Sequence, residues 1–309
     1  MARRILITGG AGNIGGSLAR RLVAAPDTFV TIVDDLSTGS RDKLPSIQHR
    51  NWELIKANVN RRDDIAAIMI SRGVDYVFHY AAVVGVRRTL ENPRRVLDDI
   101  AGIENVLELS KNIAVKRVFF SSSSEVYGEP FEVPQREATT PLNSRLPYAV
   151  VKNLGEAYCR TYQQEFGLPY TIFRFFNTYG PLQSTDFVIA KFLSAARLGQ
   201  DITIHGDGKQ TRTFCYISDN MDLTEAVLNQ GLAINETLNV GNDNEMTILD
   251  LARKIVELTG GTSKILHLPP LAEGDMSRRC PDVSRMKKIL GKPLVSLEDG
   301  VKLTLAGQA

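Results

Sequence analysis

The sequence predicts an α/β protein built on a doubly wound parallel sheet with helices on both faces. Two observations lead to this prediction. Short apolar runs alternate with stretches of helical periodicity through residues 1–176, as they do in parallel α/β folds. The first of these runs, at residues 4–8, passes into a glycine-rich turn and then into a helix-like pattern, so a strand, a tight turn and a helix follow one another at the start of the chain.

Each element of this half of the chain can be placed from its periodicity. Strands are predicted at residues 4–8, 29–33, 52–56, 74–79, 115–121 and 170–175. Helices are predicted after the glycine turn and at residues 61–71, 91–111 and 148–166. Ligands of such sheets bind outside the carboxyl ends of the strands, so we expect the functional residues at that edge.

The pattern changes beyond residue 177, where shorter pieces are separated by Gly, Pro and Asn. Helical periodicity remains at residues 187–198, 220–229, 247–259, 283–290 and 297–305, with short strands between them. We therefore expect a dinucleotide-binding domain with the catalytic groups at residues 1–176 and mainly a smaller substrate-binding lobe at residues 177–309. A return of the chain from the second part to the sheet is compatible with this division.

The glycine turn has the spacing of a dinucleotide-binding site. Gly9, Gly12 and Gly15 allow a tight turn, a close approach of the backbone to a pyrophosphate, and close packing of the helix on the strand. The helix N-terminus adds free N–H groups and a positive dipole end. Asp34 follows the second strand, about 20 residues beyond the last glycine, where an acid binds the ribose hydroxyls of NAD and repels the 2′-phosphate of NADP. NAD is therefore the expected cofactor.

Composition limits the other partners. The chain has 309 residues, 43% of them hydrophobic and 23% charged, and can bury a large core. Its net charge of +2 does not favour nucleic-acid binding, so a small anionic ligand is the expected partner. Cys159, Cys215 and Cys280 are too widely spaced for a disulfide framework or a metal site, which fits the cytoplasm. No apolar run reaches membrane-spanning length, and the chain enters a strand without a signal-peptide pattern.

A tyrosine and a lysine mark the expected chemical centre. Tyr148 and Lys152 lie one turn apart on one face of a predicted helix, and a nearby ammonium lowers the pKa of a phenol toward that of a general base. Alone, this spacing is common in surface helices. Here it accompanies the glycine turn and a hydroxyl-rich strand end at residues 121–128, and the three motifs together are far more specific than any one.

With these motifs the chain resembles the extended short-chain dehydrogenase/reductases that modify nucleotide sugars. The resemblance covers essentially the whole chain, through residues 8–15, 79–82, 121–128, 148–152, 174–181 and 210–219. It implies a Rossmann-type sheet and a bound NAD that oxidises the C4 hydroxyl of the sugar to a ketone and later returns the hydride. It also implies a homodimer, formed by the helices predicted at residues 91–111 and 148–166.

The resemblance also implies residue roles. Tyr148 would be the base for the C4 hydroxyl, Lys152 would hold the nicotinamide ribose, and Ser123 would bind the C4 oxygen. The cofactor would be bound by Gly9, Gly12, Asn13, Ile14, Gly15, Asp34, Asn58, Val59, Ala81, Ala82, Tyr148 and Lys152, and the nucleotide diphosphate of the substrate by Asn177, Arg212 and Arg279. Apart from the resemblance, Arg87 or Arg88 offers a cation for the carboxylate of a uronate substrate. The chain departs from the family pattern at Asn58, where many members have an aspartate near the adenine, and at Asp99, where many have asparagine; whether Asp99 pairs with Lys152 stays open.

Glu125 is the residue that separates the possible reactions. A 4-epimerase needs no second acid near C5, and many have a small or apolar residue here, whereas a decarboxylase uses a carboxyl to protonate C5. Ser124 stands where the 4,6-dehydratases have an aspartate, and residues 83–93 look more like an epimerase loop. We rank a UDP-glucuronate decarboxylase first, a UDP-hexose or UDP-hexuronate 4-epimerase second and a dehydratase third. A non-catalytic NAD-binding sensor is the alternative from another class.

Overall fold

A computed structural model describes residues 2–270 and 276–307. Its strands are β1 (Arg3–Thr8), β2 (Thr28–Asp34), β3 (Trp52–Lys56), β4 (Tyr76–His79), β5 (Arg117–Ser123), β6 (Tyr170–Phe175), β7 (Thr178–Tyr179), β8 (Ile202–His205), β9 (Thr211–Thr213), β10 (Cys215–Tyr216), β11 (Glu236–Val240), β12 (Glu245–Thr247) and β13 (Ile265–Leu268). Seven of them form one parallel sheet in the order β11-β6-β5-β4-β1-β2-β3. This is the doubly wound α/β architecture that the sequence predicts.

The helices lie on both faces of the sheet and in the smaller lobe. They are α1 (Asn13–Leu22), α2 (Arg62–Arg72), α3 (Val86–Glu91), α4 (Pro93–Leu97), α5 (Asp99–Asn112), α6 (Pro147–Phe166), α7 (Val188–Arg197), α8 (Ile217–Asn229), α9 (Ile248–Thr259), α10 (Ser284–Leu290) and α11 (Leu297–Leu305). Two short 3₁₀ helices lie at Arg41–Lys43 and Ser124–Tyr127. None of the helices within the described ranges is long and apolar enough to cross a membrane.

Strand β1 shows why the sheet is covered on both sides. Successive side chains of a strand point to opposite faces, and here both faces are apolar. Leu6 packs in the core under α2, α5 and α6, whereas Ile5 and Ile7 pack in the other core, with Leu18 of α1. The sheet is therefore buried between two hydrophobic layers, and its ends are left to carry polar groups.

The helix predicted at residues 91–111 is wrong in its extent, because three shorter helices occupy this region. Helix α3 ends before Asn92, whose backbone (φ −134°, ψ 61°) is not helical. The next residue is Pro93, which disfavours a helical conformation in the residue before it and begins α4 at its first position. A turn at Asp98 then separates α4 from α5. These breaks place Asp99 at the start of α5, beside the carboxyl ends of the strands.

The chain returns to the sheet after leaving it. Strand β11 pairs in parallel with β6 and completes one edge of the main sheet, although it lies within residues 177–309. The remaining short strands pair as β7 with β10, β9 with β12 and β8 with β13. Because of this return, segments that follow residue 177 are held against the ligand edge of the sheet.

Candidate active site

A cleft of about 720 Å³ lies at the carboxyl ends of the central strands. All but one of the site residues predicted from the sequence line it. They are Gly9, Gly12, Asn13, Ile14, Gly15, Asp34, Asn58, Val59, Ala81, Ala82, Arg88, Ser123, Glu125, Tyr148, Lys152, Asn177 and Arg279. Arg212 is the exception: it lies on β9, nearly buried, and its guanidinium donates a hydrogen bond to the carbonyl of Thr211 at 2.8 Å.

The glycine turn leaves a cradle that side chains would fill. Gly9 has φ +69°, and a Cβ there would lie 2.6 Å from the backbone nitrogen of Ala81. A Cβ on Gly15 would lie 2.4 Å from the carbonyl oxygen of Gly9. Gly12 precedes α1 without a side-chain cap, so the helix N-terminus faces the cleft with backbone N–H groups. These features fit the pyrophosphate of a dinucleotide.

Asp34, at the end of β2, lies next to the glycine turn. Its carboxylate accepts hydrogen bonds from the backbone N–H of Ala11 (2.9 Å) and of Leu36 (2.8 Å), which join the end of β2 to the glycine turn. Burial raises the pKa of Asp34, and the two backbone donors oppose this change. The carboxylate is thus held at the position expected for an acid that binds a ribose.

Ser123, Tyr148 and Lys152 meet at the inner end of the cleft. The Lys152 ammonium is buried, lies 5.8 Å from the centre of the Tyr148 ring and donates to the Ser121 hydroxyl at 3.3 Å. The ring of Phe120 covers its other side at 5.1 Å. A hydrogen bond joins Tyr148 to Ser123, whose hydroxyl also accepts the N–H of Glu125 at 3.2 Å. The triad predicted from three separate motifs therefore comes together in space.

The ionisation of this triad is governed first by burial. Burial raises the pKa of Tyr148, and its hydrogen bond with Ser123 and the charge of Arg279 only partly oppose this. The direction is opposite to the one expected from the Tyr148–Lys152 spacing alone, because burial is the largest effect on the phenol. Burial likewise lowers the pKa of Lys152 to about 8, while the charge of Asp99 opposes the change.

Asp99 faces this site and not the solvent. Its carboxylate accepts hydrogen bonds from the N–H of Val83 (2.7 Å) and the side-chain amide of Asn60 (3.3 Å), and it lines the cleft. The question that the sequence leaves open is thus answered in one respect: Asp99 and Lys152 line the same cleft, but no ion pair of 4.0 Å or less joins them, and the carboxylate acts on the pKa of Lys152 through its charge alone.

A buried ion pair lies beside the triad. Arg279 Nη1 is 2.9 Å from Glu125 Oε1, and the two side chains are only 5% and 18% exposed. Within the described part of the chain, the second carboxylate oxygen of Glu125 and the Nε of Arg279 are buried without a hydrogen-bond partner. The sequence predicts a sugar role for Glu125 and a diphosphate role for Arg279, and gives no sign that the two side chains meet.

The remaining predicted substrate residues lie nearer the mouth of the cleft. Arg88 forms an ion pair with Asp186 at 2.7 Å, and both side chains are partly exposed. Asn177 has φ +32°, and its amide donates to the carbonyl of Thr213 at 2.9 Å. Gln183 and Phe187 also line the cleft and were not anticipated, since no local motif marks them.

A second buried ion pair joins β6 to α6, the helix that carries Tyr148 and Lys152. Arg174 of β6 contacts the carboxylate of Glu156 on α6 at 2.7 and 2.8 Å, and it also donates to the hydroxyl of Tyr127 at 2.8 Å. Glu156 further accepts a hydrogen bond from Ser122 at 2.6 Å. The helix that carries Tyr148 is therefore tied to the two strands and to the turn that carries Glu125.

Comparison with known proteins gives a consistent picture. The model of the "NAD dependent epimerase/dehydratase family" matches residues 5–241. The chain is 36% identical to a UDP-N-acetyl-alpha-D-glucosaminuronate decarboxylase of Bacillus cytotoxicus, over 99% of this chain and 97% of that protein. It is 34% identical to UDP-glucuronic acid decarboxylase 1 of Xenopus tropicalis, over 98% of this chain and 71% of that protein. Its structure resembles a UDP-glucose 4-epimerase of Thermotoga maritima, solved with UDP-glucose, at a TM-score of 0.91 with 32% identity, over 98% of this chain and 97% of that one.

Proposed function

Because the chain belongs to the NAD dependent epimerase/dehydratase family, we propose that it is a UDP-hexuronate decarboxylase, with UDP-glucuronate as the first substrate to test. The observation that carries this proposal is the Glu125–Arg279 pair in the cleft. It offers a cation for a carboxylate of the substrate and an acid for a carbon next to a ketone. Neither group has a task in a plain epimerisation at C4.

The first step needs the triad. Tyr148 takes the proton of the C4 hydroxyl, and Ser123 holds the C4 oxygen. Lys152 carries a positive charge next to the phenol, and in this proposal it also holds the cofactor ribose. NAD, which the glycine turn and Asp34 would hold, would supply the oxidation of C4 and the later return of the hydride.

The second step needs the ion pair. Arg279 binds the carboxylate on C5, and its buried guanidinium makes this charge-assisted contact strong. The C5–carboxylate bond then breaks, CO₂ leaves, and the electron pair passes into the C4 ketone as an enolate. Glu125 lies beside Arg279 and, having taken a proton from water, delivers it to C5. Its second oxygen, which has no hydrogen-bond partner within the described residues, would carry that proton.

Two relatives with decarboxylase names support this assignment over most of the chain. Substrate binding adds a further argument. A uronate carboxylate that enters the cleft would bind the guanidinium of Arg279 through charge-assisted hydrogen bonds.

A UDP-hexose or UDP-hexuronate 4-epimerase is the second candidate. The structural likeness to a UDP-glucose 4-epimerase favours it, as does the loop at residues 83–93. Epimerisation uses the same triad and returns the hydride to the opposite face of the ketone. In that reaction the Glu125–Arg279 pair would only shape the sugar site.

Product analysis decides between these reactions. The purified chain with NAD is incubated with UDP-glucuronate, with UDP-N-acetylglucosaminuronate and with UDP-glucose, and the sugars are identified by NMR. A pentose product with release of CO₂ supports decarboxylation. A C4 epimer that keeps all its carbons contradicts it and supports the second candidate, a 4-keto-6-deoxy sugar indicates a dehydratase, and unchanged sugars indicate a sensor.

Substitution of Arg279 tests the ion pair. Arg279→Gln should raise KM for the uronate about tenfold or more, since a charge-assisted hydrogen bond is worth about 1.5–3 kcal/mol. Arg278→Gln is the matched control, because Arg278 is half exposed and pairs with Glu245 at the surface. Glu125→Gln should instead lower kcat and let reduced cofactor accumulate, as the ketone still forms but C5 is not protonated. Full decarboxylase activity in both site variants would exclude the proposed roles.

A further inference from the structure

Asp99 is a carboxylate inside the cleft that the reaction above does not use. The N–H of Val83 donates to one of its oxygens at 2.7 Å and the amide of Asn60 to the other at 3.3 Å. Both donors belong to loops that follow strands, so the carboxylate is fixed at the start of α5 and cannot turn to solvent without breaking two hydrogen bonds. Its position is thus set by the fold and not by the ligand.

Asp99 and Lys152 line the same cleft, and among the described residues the other neighbours of Lys152 carry no negative charge that would balance it. Helix α6 contributes the neutral phenol of Tyr148, and β5 contributes the Ser121 hydroxyl and an aromatic ring. Strand β4 contributes His79, a fully buried ring with a pKa lowered to about 3 by burial, which is therefore neutral at physiological pH. Asp99 remains as the anion that acts on the ammonium from α5.

We propose that Asp99 is a positioning residue that acts through Lys152, as a fixed counter-charge built into the cofactor side of the cleft. A buried ammonium without a counter-charge is costly and loses its proton. Lys152 is only 4% exposed and has a hydroxyl as its hydrogen-bonding partner. The Asp99 carboxylate favours the charged form of this side chain and so opposes the effect of burial. The proposal concerns Lys152 and does not depend on which sugar reacts.

The direction of the effect can be worked out for both groups. Asp99 raises the pKa of Lys152, which burial has lowered to about 8. It also adds to the rise in the pKa of Tyr148, which burial dominates. Removing the charge therefore lowers both values. Both limbs of the pH profile should therefore move together to lower pH.

Asp99→Asn is the test, because an amide can keep both hydrogen bonds. Its oxygen can accept the N–H of Val83, and its NH₂ can donate to the side-chain oxygen of Asn60, which has no partner within the described residues. Asp98→Asn is the matched control: it removes the same charge from the exposed preceding residue. Unfolding temperatures of all three proteins establish that the fold is kept.

Two readouts separate a charge effect from a structural one. In the NAD-loaded protein labelled with ¹³C at lysine Cε, the Lys152 signal is assigned with Lys152→Arg and titrated. Asp99→Asn should reduce the proton affinity of Lys152 about tenfold, a shift of about one pKa unit, and Asp98→Asn should leave it unchanged. With any nucleotide sugar that the enzyme converts, the pH profile of kcat/KM should shift to lower pH by a similar amount.

An unchanged Lys152 titration in Asp99→Asn would overturn the proposal, whatever happens to the rate. A lower rate with both limbs in place would also overturn it, since this is what a purely structural role gives. The titration needs no substrate. Failure of the decarboxylase assignment and failure of the Asp99 proposal are therefore distinguishable.

Discussion

At the scale of single residues, the site depends on ionisable side chains that are buried, although burial disfavours their charged forms. Tyr148 has a raised pKa, Lys152 has a lowered one, and the carboxylate of Glu125 leaves one buried oxygen without a partner within the described chain. Such groups cost folding free energy and are kept where a reaction uses them. The burial of these ionisable groups is therefore a physical reason to assign the reaction to this cleft.

Tyr148→Phe tests the base directly. The substitution removes the hydroxyl and keeps the ring that packs near Lys152, so turnover should fall by about 10²–10⁴-fold, as expected when a general base is lost. The affinity for NAD, measured by calorimetry, should stay nearly unchanged. Tyr158→Phe, on the half-buried face of the same helix, is the control. A fully active Tyr148→Phe enzyme would refute the assigned role.

At the scale of elements, the catalytic helix is held by a buried ion pair. Glu156 and Arg174 are 0% and 4% exposed, and they join α6 to β6. Burial alone would raise the pKa of Glu156, but the hydrogen bonds and charge of Arg174 outweigh it and hold the pKa below its usual value. Rigid support of this kind fixes Tyr148 and Lys152 relative to the strand ends.

Glu156→Gln should therefore destabilise the protein by about 3–5 kcal/mol, because it leaves the Arg174 charge buried without its partner. Since the native pKa of Glu156 is lowered, its contribution is complete at neutral pH and is lost as the pH falls below the unfolded value of about 4.3. Urea unfolding at pH 7 and at acid pH measures both effects. Glu165→Gln, at an exposed site of the same helix, should change stability by less than about 0.5 kcal/mol. Equal stabilities of the two variants would contradict this account.

Elements that are marked by a short sequence motif could be predicted from the sequence. Contacts between segments that are far apart in the chain could not. The glycine turn, the end of β2 and the Tyr148–Lys152 spacing each follow from short-range stereochemistry, and they come together as expected. The helix predicted at residues 91–111 failed because the apolar periodicity continues through Pro93 although the backbone cannot. The Glu125–Arg279 contact has no local pattern at all, since it depends on how the second part of the chain folds back.

At the scale of the whole molecule, both parts of the chain contribute residues to the cleft at the carboxyl ends of the strands. The second part of the chain adds β11 to the sheet and brings Arg279 into the cleft. The partly exposed Arg88–Asp186 pair joins the two walls at the mouth, where solvent screening keeps its contribution to about 0–1 kcal/mol. A contact this weak adds little to the stability of the fold. The division at residue 177 stays a prediction.

A homodimer also stays a prediction, and α6 offers a way to test it. Its outer face carries apolar groups that a monomer leaves in water: Val150 is 46% exposed, and Ala157, two turns further along, is exposed on the same face. Pairing α5 and α6 with the same helices of a second copy would cover this face, and stable dimers bury about 1,200–2,000 Å². Ala157→Arg places a charge at its centre and should shift the mass seen by sedimentation from dimer to monomer. Ala67→Arg, at an exposed position of α2, should not. A monomeric native protein, or a dimer unaffected by Ala157→Arg, would exclude this interface.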